Sequence, residues 1–212
     1  MGAAFILAFV LVGLAELGDK SQLLLLGFAA KYRPAKVVAG AAIAILLLQA
    51  AAVLLGRAVG ALIPRDVVSV VAGLLFVAFG VITWRSAGDD EAEEGTRTFA
   101  LGPVLTVAAA LLLAEFGDKT QLMTVSIAAD PAAALRTLGS FASGIKPPEA
   151  GTAGTALGVW LGSSAGFLAA DALAIVTGAV LGARLPRRAI ARFSAVVFVV
   201  FGLVTLASAF VG

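Results

Sequence analysis

Neither cysteine nor histidine occurs among the 212 residues, and only 13% of them carry a charge. The missing cysteines exclude disulfides, thiol redox chemistry and thiolate metal sites. Without thiolate or imidazole, soft and borderline metals such as zinc, copper and nickel are disfavoured, and any metal site must be built from oxygen. The net charge of +2 is too small to point to nucleic acid. Polar surface is what the chain lacks most: it is 61% hydrophobic, with a mean hydropathy of +1.07. A soluble domain of this length could not clothe itself with so few polar residues. Apolar runs of bilayer-crossing length recur throughout, so the expected class is an integral membrane protein. The opening stretch MGAAFILAFVLVG has no basic region ahead of it and reads as a first span rather than a cleaved signal peptide.

Six spans are expected, at about 3–30, 36–62, 67–84, 100–128, 153–182 and 190–211. Their alanine, glycine and leucine content favours helices over a barrel, so the fold class is an all-α polytopic membrane protein. The polar stretch RSAGDDEAEEGTR, with five acids, divides the chain. This gives a first three-helix unit at 1–86, an acidic linker at 87–99 and a second unit at 100–212. A glycine- and proline-containing loop at 130–154 lies inside the second unit, and its middle is a candidate for a short interfacial or re-entrant segment. Tyr32 and Trp84, near span ends, read as interfacial anchors.

The two units repeat each other. LAELGDKSQL at 14–23 returns as LAEFGDKTQL at 113–122, with Leu17 replaced by Phe116 and Ser21 by Thr120. Further on, Gly40, Gly56, Gly60 and Pro64 align with Gly162, Gly178, Gly182 and Pro186, and FVAFGVIT (76–83) aligns with FVVFGLVT (198–205). Equivalent residues lie 99 apart at the decamers and 122 apart beyond them, the difference being the 130–154 insertion. An odd number of spans per unit requires the two units to insert with opposite orientation. Lys31, Arg33, Lys36, Arg85, Arg97, Arg184, Arg187, Arg188 and Arg192 fall on one side, against Arg57, Arg65, Arg136 and Lys146 on the other. The positive-inside bias then places the odd loops and the acidic linker in the cytoplasm, with both termini outside. Inverted repeats of this kind build transporters whose site lies near the midplane.

Each decamer carries expensive groups. On a continuous helix Glu16, Asp19 and Gln22 would share one face, as would Glu115, Asp118 and Gln121. A charge at the bilayer centre costs about 2.5–3.5 kcal/mol on insertion scales, so these groups are expected to face each other or water. Four acids with Lys20 and Lys119 sum to −2, the complement of one divalent cation; alternatively each lysine pairs at i,i+4, as Glu16 with Lys20 would. The candidate metal ligands are Glu16, Asp19, Ser21, Gln22, Glu115, Asp118, Thr120 and Gln121. Oxygen-only sites suit Ca²⁺ and Mn²⁺, and after them Mg²⁺. Gly18 and Gly117, between the acids, serve either local unwinding or helix packing. Asp171, mid-span, aligns with Gln49. Asp171, Gln49, Lys20 and Lys119 are candidates for a proton or metal pathway; the alternative for Asp171 is a structural pair with Lys119 or Arg57, and Gln49 taken alone reads as an interhelical hydrogen bond rather than a ligand.

The pattern E-x-G-D-[KR]-[ST], present twice in a six-span inverted repeat, resembles the signature of the Golgi calcium/manganese transporter family, which includes bacterial manganese exporters. The resemblance covers essentially the whole chain. It implies a cation/proton antiporter for Mn²⁺ or Ca²⁺ in a bacterial plasma membrane, with Glu16, Asp19, Glu115 and Asp118 binding the ion and Ser21 and Thr120 in the hydroxyl positions. The implied partners are the divalent cation, protons and the lipid bilayer, with no prosthetic group. The 130–154 insertion and Asp171 depart from the family's usual pattern. In the expected cycle, ionised acids bind a cation from the cytoplasm, the halves rock, and protons replace the metal outside, because protonation removes both ligand and charge. The alternatives are a small-solute or amino-acid exporter, which would have a less acidic site, and a passive channel. A third, an intramembrane polyprenyl-pyrophosphate phosphatase, would want arginine with serine or histidine beside the acids.

Overall fold

The computed structural model describes residues 1–17, 19–86, 102–138, 144–181 and 187–208. Gly18, the acidic linker at 87–99 and the loop residues 139–143 lie outside the described residues. Every regular element among those described is a helix: α1 (Gly2–Glu16), α2 (Lys20–Lys31), α3 (Pro34–Leu62), α4 (Arg65–Ser86), α5 (Gly102–Glu115), α6 (Lys119–Ala129), α7 (Pro131–Arg136), α8 (Ala153–Leu181) and α9 (Arg187–Ser208).

The punctuation is local. Pro34 opens α3 and Pro131 opens α7, each at a position where a missing N–H costs nothing. Asp130 caps α7, its Oδ1 accepting from the Ala132 and Ala133 backbone N–H at 3.1 and 3.0 Å. Two stretches, Pro34–Leu62 and Ala153–Leu173, are long and apolar enough to cross a membrane on length and composition. The outward side of α3 presents Leu47, Leu54, Leu55 and Leu62, all exposed, as lipid-facing positions do.

Two expected spans are not continuous. The stretch expected at 3–30 is α1 and α2, and the one at 100–128 is α5 and α6, each interrupted at its decamer. The single helical face expected for Glu16, Asp19 and Gln22, and for Glu115, Asp118 and Gln121, is therefore corrected to a helix end, a break and a helix start. The loop after α6 begins with a described helix, α7, with Pro131, Ala133, Ala134 and Leu135 buried; residues 139–143, in the middle where an interfacial or re-entrant segment is expected, lie outside the described residues.

Packing exchanges partners between the units. α8 lies along α1, α3 lies along α5 and α6, and α4 pairs with α9. Close approach of backbones is what makes the first two contacts possible. At Gly162 in α8 a Cβ would collide with the Phe5 backbone carbonyl of α1, and at the equivalent Gly40 in α3 it would collide with the Val104 carbonyl of α5. Between α4 and α9 the contact is aromatic: Phe76 stacks on Phe198 with centroids 6.1 Å apart and meets Phe201 edge-on at 4.7 Å.

Candidate cation-binding site

Both decamers fold alike. Glu16 is the last residue of α1; Leu17 then turns to extended geometry (φ −60, ψ 120), and Asp19 stands at the N-cap of α2 with φ −78 and ψ 163. Glu115 is the last residue of α5, and Asp118 stands at the N-cap of α6 with φ −72 and ψ 169. The Asp19 N–H donates to the Glu16 carbonyl at 3.2 Å and the Asp118 N–H to the Glu115 carbonyl at 3.1 Å, closing each break with the same short turn. Gly117 supplies the bend in the second copy, with φ +77, a conformation that side chains other than glycine's rarely adopt.

A broken helix concentrates electrostatics. Four half-helix ends carry partial charges, negative at the C-termini of α1 and α5 and positive at the N-termini of α2 and α6. The aspartates stand at the positive ends, yet neither carboxylate caps its helix, in contrast to Asp130. The negative ends of α1 and α5 present carbonyls beside Glu16 and Glu115, an environment suited to a cation.

The breaks meet. Glu16, Asp19 and Glu115 are all buried, and each offers a carboxylate oxygen within 4.8 Å of the other two. Asp118, half-buried, stands outside that trio. Ser21 Oγ donates to Glu16 Oε1 at 2.7 Å, and Lys119 Nζ forms an ion pair with Asp19 Oδ1 at 2.6 Å. The lysine of the second decamer thus serves an acid of the first, instead of a local i,i+4 pair. Glu16 Oε2 and Asp19 Oδ2 are buried and have no hydrogen-bond partner among the described residues. Buried carboxylate oxygens left this way are costly unless something else neutralises them. For Lys20 only the backbone, at the start of α2, is described.

The glutamines hold backbone. Gln22 Nε2 donates to the Glu16 carbonyl at 3.1 Å and, at 3.5 Å, to the carbonyl of Ala170 in α8. Gln121 Oε1 accepts from the Gly117 N–H at 2.7 Å, and its Nε2 donates at 3.4 Å to the carbonyl of Leu48 in α3. Gln22 and Gln121 are equivalent in the repeat, and so are Ala170 and Leu48. Each glutamine therefore reaches from its own break to the same place on the other unit's long helix. Thr120 is buried, and its carbonyl accepts from Thr124 Oγ1 at 3.2 Å.

Asp171 and Gln49, the residues after those two carbonyls, are both buried. Both Asp171 oxygens and Gln49 Oε1 have no hydrogen-bond partner among the described residues. Asp171 follows directly on Ala170, whose carbonyl accepts from Gln22 of the first break, which places it beside the acidic centre. Neither structural partner considered for it is used: Lys119 pairs with Asp19, and Arg57 donates to the Gly151 carbonyl at 3.0 Å. Two features escaped sequence reasoning. Ser164 is buried, its Oγ without a hydrogen-bond partner among the described residues, and its spacing of seven from Asp171 on α8 was the available signal. Phe198 lies against Lys119, its ring centroid 5.2 Å from Nζ; the repeat of FVAFGVIT as FVVFGLVT marked the residue, and not its contact with the lysine.

Apolar helices around a buried carboxylate centre at two helix breaks define an integral membrane protein of the transporter class. The chain belongs to the family of the divalent cation/proton antiporter GDT1, whose sequence profile matches residues 4–91 and 150–212. The chain is 29% identical over 237 residues to the Arabidopsis thaliana protein PAM71, chloroplastic, in an alignment covering 98% of this chain and 57% of that protein. It is 30% identical over 196 residues to a candidate manganese exporter of Vibrio cholerae, covering 92% of this chain and 86% of the relative. With GDT1-like protein 3 of Arabidopsis thaliana it shares 25% identity over 221 residues, or 92% of this chain and 68% of the relative. The chain thus spans little more than half the length of the first of these and most of the second. No solved structure matches it. The family consists of transporters, not enzymes.

Proposed function

We propose that this chain is a secondary transporter that exports a divalent cation, Mn²⁺ or Ca²⁺, in exchange for protons. Its cation site is formed by Glu16, Asp19 and Glu115, with Asp118 completing the acidic set. Ser21 and Thr120 add hydroxyls, and Gln22 and Gln121 hold the two breaks in register. The carrying observation is the mutual approach of three carboxylates within 4.8 Å. Three ligands spread evenly around a Ca²⁺ ion with bonds of about 2.3–2.6 Å are themselves roughly 4–4.5 Å apart, close to the spacing of these three oxygens. The name of the Vibrio cholerae relative favours manganese as one cargo.

The transporter is built from units 1–86 and 100–212, joined by the acidic linker 87–99, and inserted as six spans of opposite orientation. The paired reach of Gln22 and Gln121 supports this arrangement, and the lysine and arginine distribution supports cytoplasmic odd loops and external termini in a bacterial plasma membrane. Asp171 and Gln49 extend the centre into the long helices as a pathway for protons or metal. Reconstitution of the full chain into proteoliposomes with an imposed pH gradient tests this reading. Radiolabelled manganese or calcium is expected to move against a counterflow of protons. Metal flux without proton movement, or no flux of either ion, would overturn it.

A further inference from the structure

Lys119 touches two partners of different kinds. On one side its ammonium is 2.6 Å from Asp19 Oδ1, and on the other it lies 5.2 Å from the centroid of Phe198, within range of a cation–π contact. The lysine is buried, so water does not screen these interactions as it would at a surface. Phe198 is itself fixed, fully buried and stacked on Phe76 across the contact between α4 and α9. Its ring is a stationary seat.

We infer that Lys119 is a tethered cation that competes with the transported ion for Asp19 and makes the site select divalent over monovalent cations. The inference rests on the cation site proposed above. With the site empty, the ammonium neutralises Asp19. A monovalent cation entering beside Glu16 and Glu115 replaces a positive charge already present by one equal to it, and gains nothing for the displacement. A divalent cation brings twice the charge, takes the Asp19 oxygen, and repels the ammonium toward the Phe198 ring, where the negative face of the aromatic system receives it. When the ion leaves, the lysine returns. Lys119 is thus a specificity-determining residue supplied by the second decamer to an acid of the first, and Phe198 on α9 is its alternative seat.

The two partners predict opposite effects. Equilibrium binding of radiolabelled manganese and calcium to the full chain in detergent, with sodium or potassium as competitor, measures both affinity and selectivity. Lys119→Gln removes the competitor: divalent affinity is expected to rise about tenfold, the size of effect a neighbouring unit charge exerts on an ionic site, and sodium is expected to compete where it does not in the parent. Lys119→Arg keeps the charge and should restore sodium exclusion. Phe198→Leu removes the aromatic seat while leaving an apolar side chain, and should weaken divalent binding several-fold, with sodium still excluded.

Loss of binding in Lys119→Gln, or divalent affinity and sodium exclusion unchanged in it, would overturn the inference. So would a shift of Phe198→Leu in the same direction as Lys119→Gln. If the parent binds neither metal, the cation-site reading fails and this one with it; if the parent binds and Asp19→Asn abolishes binding, a contrary lysine result refutes the lysine's role alone.

Discussion

Ser21 Oγ donates a 2.7 Å hydrogen bond to Glu16 Oε1 across the break between α1 and α2. The bond leaves Oε2 of the same carboxylate without a hydrogen-bond partner among the described residues, so the hydroxyl orients the acid without consuming it. Partners that orient a metal-binding carboxylate typically account for about 10–100-fold in metal affinity. Ser21→Ala is therefore expected to lower metal affinity by roughly that factor, whereas Ser21→Thr, which keeps the hydroxyl and matches the residue of the second decamer, should stay close to the parent. Concentration dependence of manganese uptake in proteoliposomes separates the two variants.

The three acids that approach one another should outrank the fourth. Glu16→Gln, Asp19→Asn and Glu115→Gln each keep the shape of the side chain and remove one charge from the trio. Each is expected to reduce exchange by more than the roughly 100-fold upper limit for loss of an orienting partner. Asp118→Asn, outside the trio in this structure, should lose activity to a smaller degree. Equal loss in all four variants would show that the ion sits deeper between the breaks than the trio indicates. Normal exchange in any of the three would remove that acid from the site.

Gly117 is held at φ +77 with open space where a Cβ would be placed. The penalty for Gly117→Ala is therefore conformational rather than steric, about 1–2 kcal/mol for a side chain in the left-handed region. The variant should melt several degrees lower in detergent. A backbone that relaxes from this φ turns the residue 117 N–H away from Gln121 Oε1, so transport should also fall. A variant with parental melting temperature and flux would mean that the break does not need its present backbone geometry.

The contact between α1 and α8 gives a prediction with an internal control. At Gly162 an added Cβ meets the Phe5 carbonyl, so Gly162→Ala must push the two helices apart; overpacking of this kind costs about 1–3 kcal/mol. Since α1 ends at Glu16, the displacement should reach the site and lower metal affinity together with the melting temperature. Gly154, on the same helix, has nothing within 4 Å of such a Cβ. Gly154→Ala should be neutral or stabilising by up to about 1 kcal/mol, from the better helix propensity of alanine. Thermal melts of the two variants side by side decide it.

Much of the molecule was written in residue types. Missing cysteine and histidine confined any metal site to oxygen, and the apolar composition called for helices. Proline and the polar junctions placed α3 at Pro34–Leu62 against an expected 36–62, and α4 at Arg65–Ser86 against 67–84. The duplicated decamer named all three acids that meet, because a buried charge in such surroundings is too costly to be incidental.

The helix breaks were not legible to that reasoning. Hydrophobic periodicity registers which side chains are apolar and is blind to a backbone angle, so LAELGDKSQL read as one continuous helical face. Only the folded chain supplies the partners that make an interruption tolerable: Gln22 and Gln121 take up backbone groups at the breaks and reach the carbonyls of Ala170 and Leu48 in the opposite unit. The same limit applied to Lys119. Its own sequence offered acids at i,i+4 and across the repeat with equal merit, and the choice of Asp19 and Phe198 came from the packing of α6 against α1 and α4, which brings the Lys119 side chain to the Phe198 ring of α9. The residue types thus determined what chemistry the centre contains. Tertiary structure decided which oxygen faces which charge, because that depends on distances between helices that no stretch of sequence encodes alone.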